Sequence, residues 1–454
     1  MSGSYLLERA YVDGAVRDDV WVEIADGRFT TVLPGWSRPP EGGPGLAARP
    51  SDVAVSRLAG LTIPGLANCH SHAFHRALRG HTQRERGSFW TWREQMYGVA
   101  ERLDPDSYYA LARATYREMA ASGITCVGEF HYLHHQPGGM PYDEPNAMAN
   151  ALVAAARDAG LRIALLDTCY LSSGFGAPPT TPQLRYSDVD AERWAARTTQ
   201  LWSSVGHDDL VIGAAIHSVR AVPRDQIPVV AQWAEQHEAP LHVHLSEQVA
   251  ENEACLERHQ LTPTQLLAES GALSDRTSAV HATHLTDVDI GLLGDAASYA
   301  CFCPTTERDL GDGIGPSRSL HGAGSALTLG SDSHAVIDLF EEMRAVETDE
   351  RLATRQRGHW AAEELVAAAT TAGHASLGFP DAGRIAVGQR ADLVTLDTRS
   401  ARTAGTGECV QTLVFAATSA DVRQVIVGGR VVFTPDDLPG IGEELANAIA
   451  AVRA

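Results

Sequence analysis

LTIPGLANCHSH (61–72) opens the stretch that decides the fold, and ALTLGSDSH (326–334) closes it. Each is a short apolar run ending in side chains that can hold a metal or move a proton. The same texture recurs between them in GITCVGEFHY (123–132), RIALLDTCY (162–170), LVIGAAIHS (210–218), PLHVHLSE (240–247), TSAVHATH (277–284) and SYACFCPTT (298–306). Apolar runs of this length, bounded by polar residues, read as buried strands. Ala- and Leu-rich helical patterns fall between most of them, for example PDSYYALARATYREMAASG (105–123) and NAMANALVAAARDAG (146–160). Strands alternating with helices fit a (β/α)8 barrel or a doubly wound open sheet. The polar residues decide between the two. Seven of the eight runs carry a His, Asp, Glu or Tyr at or near the C-terminal end, the rim where barrel active sites sit. The expected class is α/β, a (β/α)8 TIM-type barrel.

Outward from the barrel the texture changes. Residues 1 to about 60 alternate apolar and polar, as in VWVEIADGRFTTVLPG (20–35), with Asp-Gly turns. This predicts short antiparallel strands. RPPEGGPGLAARP (38–50) reads as a Pro/Gly loop. The strand texture returns in GRIAVGQRADLVTLD (383–397) and VRQVIVGGRVVF (422–433). The two ends are expected to pair into one small β domain, a β-sandwich made from residues 1–61 and 376–454, flanking a barrel at 62–375.

Composition excludes several roles. The 454 residues carry 36 Lys+Arg and 57 Asp+Glu, a formal net charge of −21. That disfavours nucleic acid, whose phosphates need a basic surface, and anionic membranes. No apolar run approaches the roughly 18–20 residues of a membrane helix. The N-terminus lacks the basic and apolar regions of a secretory signal. Seven cysteines without framework spacing argue against a secreted disulfide scaffold. The expectation is a soluble, reduced, cytoplasmic enzyme acting on a small molecule.

His70 and His72 stand at i and i+2, so they share one strand face and can reach one metal. His242 and His244 repeat that spacing; one is a candidate ligand and the other lies deeper or nearby. Glu247 follows at the strand end, as a carboxylate for hydrolytic proton transfer. His281 directly follows its apolar run and is expected at the rim, with His284 beyond. Asp332 ends the last run. Imidazoles with a carboxylate suit zinc or another first-row divalent ion.

The set PGLANCHSHAFHRALRG, HVHLSEQ, VHATH and LGSDSH resembles the amidohydrolase superfamily. The resemblance implies a distorted barrel, a β domain from both chain ends, and His70, His72, His244 and Asp332 as ligands. Binuclear members use a modified lysine on the fourth strand; VIGAAIHSVRAV has His217 and no lysine, which favours one ion. The His244-x-x-Glu247 pairing resembles the deaminase branch, where the glutamate shuttles protons. SFWTWREQMY (88–97), EFHYLHH (129–135), HSVRAV (217–222) and TTERDLGDGI (305–314) resemble the formimidoylglutamate deiminase family of histidine degradation. This implies hydrolysis of N-formimino-L-glutamate to N-formyl-L-glutamate and ammonia, by a protein that is a homodimer. Catalytic roles then fall to Glu247, His281 and Asp332. Arg93, Tyr132, His217 and Arg220 grip the glutamyl part. Independently of the family, a dicarboxylate wants guanidinium forks. The residue three after the second metal histidine is often Gln in that family; here it is His75, which changes the donor pattern. The alternative is a sister enzyme deaminating a purine, a pterin or another amidine or guanidino compound.

Other signals read as structure. GDGIGP (311–316) lacks a dinucleotide context and reads as a loop. Cys301 and Cys303 read as buried thiols, and His134-His135 as loop residues without a metal role. The aromatic cluster at 89–92 is core or lid. FEEMRAVETDE (340–350) reads as a solvated helix face.

Overall fold

A computed structural model describes residues 3–36, 56–83, 89–204, 206 and 208–453; the expected Pro/Gly loop at 38–50 lies outside them. The chain opens with β1 (Gly3–Val12), β2 (Ala15–Ala25), β3 (Arg28–Leu33) and β4 (Ser56–Pro64). The Asp13-Gly14 and Asp26-Gly27 pairs turn β1 into β2 and β2 into β3 with positive φ at both positions, the geometry that matches strand twist in two-residue hairpins. One pairing departs from the antiparallel expectation. β4 lies parallel to β1, because the connection between them is not a hairpin.

The barrel follows as β5 (Leu66–Ser71), β6 (Ile124–His131), β7 (Arg162–Cys169), β8 (Leu210–Ile216), β9 (Leu241–Leu245), β10 (Thr277–His281), β11 (Tyr299–Phe302) and β12 (Leu327–Leu329). These are the eight runs expected from sequence, in one all-parallel sheet ordered β5 to β12. β5, β6 and β7 are buried at every position, which is why they read as continuous apolar runs rather than alternations. The strands shorten toward β12, and β5 pairs irregularly with β6, so the barrel is distorted. Its seam closes through backbone. Ser331 and Asp332 donate their N–H groups to the His70 carbonyl at 3.2 and 3.0 Å, and His72 N–H donates to the Asp332 carbonyl at 3.3 Å. Asn68 stitches the same seam, donating to Ser331 Oγ at 2.7 Å and accepting from Ser331 N–H at 2.9 Å.

β13 (Leu393–Leu396), β14 (Val422–Val427) and β15 (Arg430–Phe433) return to the first sheet, giving the order β15-β14-β13-β4-β1-β2-β3. Both chain ends therefore build it. The alternation of its strands serves two cores. Leu7, Val20, Val22, Leu58, Leu393 and Ile426 close a core of their own, while Leu61, Ile63, Val394 and Val425 join the barrel core.

The acidic segment at 340–350 is not a solvated face. Glu342 and Glu347 are fully buried in the Leu339–Thr354 helix and Glu350 nearly so. Glu342 accepts from Thr305 N–H at 3.0 Å, Glu347 from Trp360 N–H at 2.7 Å, and Glu350 from Trp360 Nε1 at 3.3 Å. They satisfy orphan donors of neighbouring segments, a job invisible to charge patterning. No helix among the described residues is long and apolar enough to cross a membrane.

Candidate active site

His70 and His72 project from the end of β5, His244 from β9, His281 from β10, and Asp332 from just past β12. His70 Nε2 lies 3.1 Å from His244 Nε2 and 3.4 Å from Asp332 Oδ1; His72 Nε2 is also 3.4 Å from Asp332 Oδ1. His281 Nε2 approaches Asp332 Oδ2 at 3.8 Å. At β9 it is His244 that stands with this cluster, while His242 is fully buried and joins no group of candidate ligands among the described residues.

The tautomers can be read from the partners. His72 Nδ1 lies 3.0 Å from the Phe130 carbonyl and His244 Nδ1 2.8 Å from the His217 carbonyl. A carbonyl only accepts, so each Nδ1 carries the hydrogen and each Nε2 turns a lone pair inward. Burial, then the neighbouring His70, pulls His72 down to about 3, so it is neutral. Asp332 is held well below the ordinary carboxylate range. Burial opposes its charge, but hydrogen bonding to His70 and the neighbouring His281 more than offset that. A lone pair and a carboxylate facing each other at 3.4 Å are unsatisfied without a cation between them. The ligand atoms of His70, His72 and His244 lie close enough together to hold an ion, and Asp332 lies as close to His70 with His281 and to His72 with His75; imidazole nitrogens with a carboxylate oxygen are donors a divalent ion takes. The chain contains no lysine, so no lysine can bridge two ions.

Backbone strain gathers at this rim. His281 and Ala282 have φ of +67° and +47°, and Ser246, Asp332 and His334 are also left-handed. Non-glycine residues hold such angles where the surroundings over-determine them, as at functional sites. At Ser246 the turn swings Glu247, only 8 % exposed, over the pocket beside His244 and His281.

A pocket lined by His72, His244, His281 and Asp332 also brings together the residues expected from sequence to meet the substrate: His75, Arg93, Tyr132, His217 and Arg220. His75 Nε2 lies 3.0 Å from the Tyr132 hydroxyl, and its ring packs 4.6 Å from that of His72. Arg93 comes from the Phe89–Glu101 helix and donates through Nε to Tyr97 at 2.7 Å. Trp92 lines the pocket, while residues 84–88 and the side chains of Phe89 and Trp90 lie outside the described residues. Arg220 follows β8. Burial opposes its charge, but Glu251 and Glu247 nearby raise its pKa. His284 and His334 stay outside the pocket; His334 sits between Ser71 and Ser331 at the barrel seam.

Several contributors were missed. Glu307 Oε1 lies 3.4 Å from His281 Nδ1 and accepts Cys303 N–H at 2.9 Å. It is thus placed to fix the ring. Glu129 accepts from Ser71 Oγ and Ala73 N–H, both at 2.7 Å, and so clamps the turn that follows His72; burial pushes it up to about 7. Tyr97, Tyr170 and Tyr186 also line the pocket. Glu307 lies inside a quoted motif and Tyr97 ends another, but partnership across 26 residues has no local signature.

A second histidine group, His131, His134 and Asp167, is close enough to hold an ion. Its carboxylate is already spent. Asp167 accepts from Arg197 Nη1 at 2.8 Å and Nη2 at 2.7 Å, and from Trp194 Nε1 at 2.9 Å. His135 pairs with Asp188 at 3.1 Å. These residues anchor the loop after β7.

Fold and site together define a divalent-metal hydrolase barrel. The chain belongs to the Amidohydrolase family, whose pattern residues 61–432 match, and is a hydrolase of its deaminase type. It is similar to the formimidoylglutamate deiminase of Pseudomonas aeruginosa, 35% identical over 388 residues that span 83% of this chain and 85% of that protein. It is also similar to the crystal structure of an amidohydrolase from Brucella melitensis, with a TM-score of 0.88 and 31% identity over the whole of both chains. An adenosine deaminase from Xanthomonas campestris solved with bound zinc shares the fold at 22% identity, with a TM-score of 0.83 over 99% of this chain and 98% of that one.

Proposed function

We propose that this protein hydrolyses N-formimino-L-glutamate to N-formyl-L-glutamate and ammonia, with one zinc ion held by His70, His72, His244 and Asp332. The observation that carries this reading is the pocket's polarity. Two arginines, Arg93 and Arg220, face the same cavity as Glu247 and the ligand cluster. Guanidinium forks suit a dicarboxylate, and Glu247 suits the cationic amidine. Aromatic heterocycles need stacking and amide-type contacts instead.

When bound, zinc supplies a Lewis acid and a water acidified toward neutrality. His281 and Asp332 stand where they can accept that water's proton. Water adds to the formimino carbon, and the bond to the terminal nitrogen breaks. Glu247 takes the remaining proton from the added oxygen as the formyl C=O forms and delivers it to this nitrogen, which leaves as ammonia. Arg93, Arg220, Tyr132 and His217 hold the glutamyl part, so binding energy far from the reacting carbon also orients it. His75 supports Tyr132 through their shared hydrogen bond.

The test is ammonia release by zinc-loaded protein from N-formimino-L-glutamate, guanine, adenosine and 5-methylthioadenosine. The formimino compound should be turned over and the heterocycles left intact. Turnover of a purine with none of the formimino compound would replace this reading with the sister activity.

A further inference from the structure

Gln183 is fully buried in the loop after β7. Its amide orientation is fixed by its partners. Thr180 N–H, which can only donate, lies 2.8 Å from Oε1, so the NH2 group faces the other way. There it donates to the Tyr97 hydroxyl at 3.0 Å and to the Tyr170 hydroxyl at 2.7 Å. Arg93 Nε, also a donor only, gives Tyr97 a second hydrogen bond at 2.7 Å.

A count of protons follows. Each phenol can accept two hydrogen bonds and give one. Three of the pair's acceptor sites are taken by groups that cannot accept in return. One proton can pass between the two hydroxyls and fill the last. The other phenolic proton has no acceptor among the described residues. Both tyrosines line the pocket. Tyr170 is buried and Tyr97 half-buried, and a sheltered donor without a partner is costly, so a site built this way is waiting for an acceptor.

We infer that Tyr97, Tyr170 and Arg93 form a carboxylate subsite, with Gln183 as the positioning residue that turns the phenols into donors. This rests on the proposed substrate and deepens it. Arg220 has Glu251 and Glu247 near it and, after them, Tyr170 and Tyr97, so it stands between the reacting end and the tyrosines. The tyrosine subsite is then the farther station, taking the carboxylate of the glutamate side chain.

The test compares wild type with the Tyr97→Phe/Tyr170→Phe double variant and with Gln183→Glu. In Gln183→Glu both tyrosines remain, but a carboxylate replaces the fixed donor and draws the phenolic protons to itself. Two substrates are used, N-formimino-L-glutamate and N-formimino-L-norvaline, which lacks the distal carboxylate. Both variants should lose about 10- to 100-fold in kcat/KM on the glutamate compound, mainly through KM, as expected for hydrogen bonds to a charged group. On the norvaline compound they should stay within about threefold of wild type, with zinc content and melting temperature retained. Calorimetric binding of glutarate, which needs no turnover, should weaken by a similar factor. Equal losses on both substrates, or unchanged glutarate affinity in the double variant, would overturn the subsite. If wild type failed to hydrolyse the formimino compound yet bound glutarate through these tyrosines, the proposed function would fall and the subsite would stand.

Discussion

At the proposed metal end of the pocket, His70, His72, His244, His281 and Asp332 ride on or just past strands of the barrel, held by the ladder and the β5–β12 seam. At the proposed carboxylate end, Arg93, Tyr97, Tyr170, Gln183 and Arg220 come from a helix and from loops after β7 and β8. The first end is fixed by backbone and the second by side chains that hold one another. A metal tolerates little misplacement of its donors, so the backbone sets them. Carboxylate recognition is spread over many hydrogen bonds, each worth a modest amount. Changes at the metal end should therefore act all-or-none, and changes at the carboxylate end by degrees.

His244→Ala removes a donor that nothing can replace. Zinc content by mass spectrometry and ammonia release should vanish together. Retained activity without zinc would break the contrast at its stronger side. Glu247→Gln should keep the metal and lose about 10²–10⁴-fold in kcat, the range for a positioned proton-transfer group. Loss of zinc in that variant would make Glu247 a ligand instead. Glu307→Leu should cost about 10- to 100-fold in kcat or zinc affinity, because His281 loses the partner on its second nitrogen. Glu307→Gln should be milder, since it still offers an acceptor. Arg220→Met should act mostly on KM, by about 10- to 100-fold in kcat/KM. Unchanged kinetics would remove Arg220 from the substrate.

The smallest effect on catalysis belongs to the loop anchor. Asp167→Asn breaks a fully buried pair with Arg197, at a cost of about 3 kcal/mol that should appear as a lower melting temperature with kcat little changed. Burial alone would raise Asp167, but Arg197 and the nearby His134 bring it down to about 2. Its unfolded value is near 4. A depressed carboxylate stabilises the fold above its unfolded pKa, and that contribution is lost as pH falls from about 4 through about 2. Wild type should lose more stability than Asp167→Asn over that window.

This difference between the ends also explains what the sequence reveals. The eight strands, the HxH pair and Asp332 were legible because period-two spacing puts side chains on one face, and barrel chemistry collects at strand ends. Sequence spacing left His242 and His244 open, since both share a face; only depth in the barrel separates them. Arg93 and Arg220 came through motif resemblance. Gln183 and Glu307 were not legible, because their work is to hold a partner far along the chain. The buried Glu342, Glu347 and Glu350 were misread for a related reason. An acidic helix looks solvated until the donors of its neighbours are counted.

The central claim is one divalent ion in the His70, His72, His244 and Asp332 cluster, serving a pocket that grips carboxylates. It is tested most directly by stripping the protein with a chelator and adding zinc back while following ammonia release from N-formimino-L-glutamate. Activity should start near zero, climb linearly and level off at one equivalent. Full activity in the stripped protein, or a rise that continues to two equivalents, would contradict it.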